Sequence, residues 1–106
     1  MFEINGIDWE IEWCSPTDDN LRRSDGSLTV GVTDNRTKCI YLSDRLSGES
    51  LRKVFIHEVC HCAIFSYRIY IDIEQEEFLC DFIATYGDEI FKIVDGIFYA
   101  IKKIVA

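Results

Sequence analysis

In Ile7–Trp13 and again in Leu28–Thr33 the apolar residues of this chain recur at every second position, and from Leu51 onward they recur at every third or fourth. A period of two lines one face of a strand, and a period near 3.6 lines one face of a helix. Strands followed by helices confine the 106 residues to an α+β arrangement, with helices packed on one face of a small sheet. Ile7, Trp9, Ile11 and Trp13 alternate with Asp8, Glu10 and Glu12. Phe2 and Ile4 precede them across Asn5-Gly6, a two-residue hairpin signal. Ser15–Gly26 holds Pro16 and a cluster of Asp and Asn, and reads as a loop or a short irregular helix. Leu28–Thr33 and Lys38–Leu42 are predicted as two more strands about a turn at Asp34-Asn35. The expectation is a small antiparallel sheet of N-terminal strands against about three helices, in a single domain spanning residues 1–106. Gly87 is expected to divide the last two helices. The final one carries Ile90, Phe91, Val94, Ile97, Phe98, Ile101 and Ile104, with Lys102 and Lys103 near its end. Its apolar side is predicted to pack into the core, with a dimer face as the alternative.

The first main helix contains His57-Glu58-Val59-Cys60-His61, the pattern H-E-x-x-H, and these are the only two histidines of the chain. No Pro or Gly interrupts Glu49–Tyr70, and Ser47 or Ser50 is available to cap its start. Residues four apart lie one above the other on a helix, so His57 and His61 can offer two imidazole nitrogens to one metal ion. Glu58, about 100° round the helix, can reach a water at that metal without being a ligand.

A catalytic zinc takes three protein ligands and keeps one position open. With no third histidine, the third must be a carboxylate or a thiolate. Glu77 opens the next helix sixteen positions after His61, which leaves room for a loop and an antiparallel return. Asp81 follows one turn later, placed to accept the other N–H of a ligating histidine. Glu76 competes for the ligand role, and Glu77 is favoured because Asp81 then stands behind a histidine.

H-E-x-x-H followed by Glu-x-x-x-Asp resembles the gluzincin metallopeptidases. The form Glu-x-x-Cys-Asp-x-Ile-Ala at residues 77–84 is similar to the small ImmA/IrrE-type metallopeptidase domains and the minigluzincins, over roughly residues 37–90. Those domains usually carry a small residue and Asn where this chain has Cys80 and Asp81. The resemblance implies zinc held by His57, His61 and Glu77, with Glu58 as general base of peptide hydrolysis. The alternative is a catalytically silent zincin fold that binds zinc or a protein partner. The same donors also suit iron or manganese. Tyr67, Tyr70 and Tyr86 are possible stabilisers of a developing oxyanion, and Cys39–Leu42 is the expected sheet edge for a substrate strand.

Composition narrows the partners. The net charge of −8 is spread along the chain, which argues against nucleic acid, since that needs clustered Lys and Arg. A polypeptide substrate or a specific partner protein is expected instead, acting on a monomer or a homodimer formed through the C-terminal helix. No apolar run reaches membrane-spanning length. Five cysteines without a framework spacing point to free thiols in the cytoplasm. Cys60, Cys62 and Cys80 read as small apolar fillers rather than ligands.

Overall fold

The computed structural model describes the backbone of residues 1–105 and the side chains of residues 1–102, so Lys103 and Ile104 fall outside the described side chains. The architecture is α+β: four strands and a short 3-10 turn, then two helices. Strand β1 spans Phe2–Ile4 and β2 spans Ile7–Cys14. Asn5 and Gly6 both adopt positive φ, 50° and 78°, the mirror-image turn that suits the twist of a tight hairpin. Strands β3 (Gly31–Asp34) and β4 (Cys39–Ser43) follow. Helix α1 spans Gly48–Ser66 and α2 spans Ile73–Val105.

The sheet order is β1-β2-β4-β3, and β2 pairs with β4 in parallel. This corrects the all-antiparallel expectation. Residues 15–30 are long enough to carry the chain across the sheet, and parallel neighbours need such a crossover. The chain therefore reaches the outer position first as β3 and returns inward as β4 through an antiparallel hairpin. Leu28 is not in a strand but bridges Arg22. Leu21 ends the short 3-10 turn and receives the Thr29 N–H on its carbonyl.

Position in the sheet explains why β4 is buried at every residue. Ile40 and Leu42 point into a core with Trp9 and Cys62, packed under Val54, Phe55 and Val59 of α1. Cys39 and Tyr41 point the other way, against Cys14 and Leu21. An apolar run without alternation marks a strand covered on both faces. Cys39–Leu42 is thus a central strand, and the free edge near α1 belongs to β3.

Two helices stand where three were expected, because Gly87 is accommodated inside α2. A single interior glycine costs a helix only about 1 kcal/mol, and Gly87 is buried. The end of α1 is held to the sheet by Trp9 Nε1, which donates to Ser66 Oγ at 2.8 Å, and by Asn5 Nδ2, which donates to the Ser66 carbonyl at 3.0 Å. Arg68 takes φ 54°, and the N–H groups of Arg68 and Ile69 return to the carbonyls of Phe65 and Ile64. That double closure ends α1 sharply. Asp72 then caps α2, accepting from the Gln75 N–H at 2.9 Å. The helices run antiparallel, as the pairs Arg52–Asp88, His57–Asp81 and His61–Glu76 show. Among the described residues, no helix is long and apolar enough to cross a membrane.

Candidate metal centre

The tight turn between the helices and the Asp72 cap fix where the first turns of α2 face α1. Glu76 and Glu77 are successive residues, so their side chains diverge by about 100°. That divergence gives both a place at the histidines. Glu77 Oε1 lies 3.1 Å from His61 Nε2, and Glu77 Oε2 lies 3.3 Å from His57 Nε2. The two Nε2 atoms are 3.1 Å apart. Glu76, buried, meets the opposite side of His61, with Oε2 2.5 Å from Nδ1. Asp81 does the same for His57, with Oδ1 2.9 Å from Nδ1.

The two outer carboxylates decide the tautomers. Glu76 stands to accept from His61 Nδ1–H, and the Asp81 carboxylate beside His57 Nδ1 favours the proton on that nitrogen too, which leaves a lone pair on each Nε2. Two nitrogen lone pairs and a carboxylate then converge with no donor hydrogen among them, an arrangement suited to a cation. The spacing fits one. Ligand atoms about 2.0–2.1 Å from a common ion, at tetrahedral corners, stand about 3.3 Å from one another. The donor atoms of His57, His61 and Glu77 all lie within 4.8 Å of one another. The structure thus brings together the three residues expected as ligands and puts Asp81 behind one histidine. Glu76, the competing candidate, lies outside that group and meets His61 at Nδ1 instead.

Glu58 lines the same cleft and is 6% exposed. Burial pushes its carboxyl above the ordinary range, against a hydrogen bond from Thr33 that pulls it down. The Thr33 hydroxyl lies 2.9 Å from Glu58 Oε1 and 3.1 Å from the Glu58 carbonyl. Gly31 lies two residues before Thr33, on the same side of β3. A Cβ at Gly31 would stand 2.8 Å from Val54 Cγ1 and 3.2 Å from Glu58 Oε2. Both residues escaped the sequence reading. Their period-two spacing was visible in the strand, but which face meets α1 is a tertiary fact. Val54 is β-branched and has little rotamer freedom in a helix, so it cannot swing away. Gly31→Ala is therefore expected to cost about 1–3 kcal/mol, read as a lower thermal midpoint, and to displace the Glu58 carboxylate.

The cleft has a volume of about 730 Å³ and lies between β3 with the loop before it and the facing sides of α1 and α2. Arg22, Arg23 and Lys53 also line it, whereas Tyr67, Tyr70 and Tyr86 are outside its lining and exposed at the surface. Phe65 stacks on His61 at 6.3 Å and on Trp9 at 6.5 Å, and so backs the centre with apolar surface. All five cysteines are free, and none joins the donor cluster. Cys62 is fully buried, and burial pushes its thiol up to about 12, which keeps it protonated and unsuited to ligation. Cys60 and Cys80 meet between the helices. The hydrogen bond from Cys80 draws Cys60 down to about 7, while the same bond and burial push Cys80 up.

No protein-family model, no curated protein and no solved structure matches this chain.

Proposed function

We propose that this protein is a zinc-dependent metallopeptidase of gluzincin type that hydrolyses peptide bonds in a polypeptide substrate. The observation that carries the reading is the convergence of His57 Nε2, His61 Nε2 and Glu77 in a cleft that also holds the Glu58 carboxylate. Zinc bound by these three side chains would supply Lewis acidity, polarising a carbonyl and lowering the pKa of water. The chain's own residues do the rest. Thr33 holds Glu58 Oε1, which leaves Oε2 to accept a proton from the attacking water. The water oxygen bonds to the scissile carbon, Glu58 carries the proton to the amide nitrogen, and the C–N bond breaks with release of the amine. Burial raises the proton affinity of Glu58 and suits it to hold that proton between the two transfers. The outer edge of β3 offers unpaired backbone groups along one wall of the cleft, where an extended substrate segment can add as a strand. Five free thiols fit a reducing compartment, and a cytoplasmic location is proposed on that ground.

A closed structural zinc site uses four protein ligands. Here three donors face a cleft, which favours a working site over a clamp. The fold also has support away from the centre, in the core of Trp9, Ile40, Leu42 and Cys62. Zinc-loaded protein is therefore expected to cleave an unfolded polypeptide, to stop on chelation, and to resume when zinc is returned. The chelated protein should keep its helical circular dichroism and a cooperative melt. Loss of the fold on chelation would instead indicate a structural clamp.

A further inference from the structure

Among the described residues, the distal half of α2 has no partner within the chain. Arg52 pairs with Asp88, His57 with Asp81 and His61 with Glu76, so position numbers across the antiparallel helices sum to about 138. In that register Gly48, the first residue of α1, stands near residue 90, and α2 continues to Val105. The long axis of 54 Å, against 30 and 27 Å for the other two, reflects this projection. Every residue from Asp88 to Lys102 is exposed. The packing of this segment into the core, expected from its sequence, is thereby corrected.

Ile90, Val94, Ile97 and Ile101 form one stripe with spacings of four, three and four, the a/d pattern of a helix pair. Phe91 and Phe98 widen it on one side and are 62% and 61% exposed. Soluble monomers seldom leave a contiguous apolar surface of more than about 300–600 Å² uncovered. We infer that two copies of this chain pair through the distal halves of α2, antiparallel, with Val94 beside the partner's Ile97 and Ile90 beside the partner's Ile101.

Charge selects a second copy and sets its direction. Near the start of the segment Glu89 is left as the acidic group, since Asp88 is paired with Arg52, and the sequence ends it with Lys102-Lys103. Antiparallel pairing brings the acidic end of each copy to the basic end of the other, whereas parallel pairing sets like against like. The remainder of each chain is acidic within a net charge of −8. Antiparallel helices hold the two acidic bodies at opposite ends of the pair, where their repulsion is screened. This inference does not depend on the proposed hydrolysis.

Analytical ultracentrifugation of the full chain at micromolar concentration tests it. The expected mass is twice the 12.3 kDa of one chain. The double variant Val94→Glu, Ile97→Glu should sediment as a monomer with unchanged circular dichroism, since both side chains are exposed. For direction, Ile90→Cys chains mixed with Ile101→Cys chains should form an intermolecular disulfide under oxidised glutathione, and neither should cross-link with itself. A monomeric wild type, an assembly indifferent to the glutamates, or self-cross-linking of either cysteine variant would overturn the inference. Binding of a monomeric wild type to phospholipid vesicles through this stripe would overturn it in favour of a membrane surface.

Discussion

Glu58→Gln is expected to retain a full complement of metal and to lose about 10²–10⁴-fold in the rate of polypeptide hydrolysis. Glutamine has nearly the shape of glutamate, and its amide oxygen can still accept from the Thr33 hydroxyl, which now lies 2.9 Å from Glu58 Oε1. What disappears is the proton-accepting carboxylate. None of the three candidate metal donors is altered, and neither are the carboxylates behind the histidines. The check is kcat for metal-matched wild type and variant. Equal cleavage by the two would remove Glu58 from the mechanism, even if metal were present in both.

The second large effect concerns two adjacent glutamates with different tasks. Glu77→Ala removes one of three donors and is expected to abolish stoichiometric metal binding. Glu76→Ala leaves all three donors but takes away the acceptor at His61 Nδ1. Loss of such an outer partner costs about 10–100-fold in metal affinity, so Glu76→Ala should still fill at high metal concentration. Asp81 plays the matching part for His57 but is 70% exposed. Water can replace its carboxylate there, and Asp81→Ala should fall at the mild end of that range. Competition titration with a chromophoric chelator orders the three variants. Equal losses in Glu76→Ala and Glu77→Ala would contradict the division of roles.

The centre was legible because its spacing is local. His57 and His61 lie four apart on a helix without Pro or Gly, and helical geometry alone puts them on one face. The identity of the third donor needed more. Glu76 and Glu77 differ by one position, and the choice between them depends on how α2 is rotated. That rotation follows from the turn at Arg68 and the Asp72 cap. From sequence the two are rivals, whereas the helix turns both toward α1, Glu77 to the two Nε2 atoms and Glu76 to the back of His61.

Sheet order was less legible. Alternation in Ile7–Trp13 identifies a strand but says nothing about its neighbour. The neighbour was set by the path of residues 15–30, which places β3 outside β4. The uninterrupted apolar run at Cys39–Leu42 carries the signal of a doubly covered strand, which outweighs its place in the sequence as the last strand before α1. Thr33 and Gly31 became site residues only through that order, because it puts β3 beside α1. The distal part of α2 misled for a related reason. A three-four repeat shows that a helix has an apolar side, but not whether that side meets the chain's own core.

Elemental analysis of the purified protein, after reconstitution with zinc and removal of excess metal, is the most direct test of the centre. About one zinc per chain is expected, with none retained by Glu77→Ala. No bound zinc in the folded wild type would contradict the metal centre, and the proposed hydrolysis would fall with it.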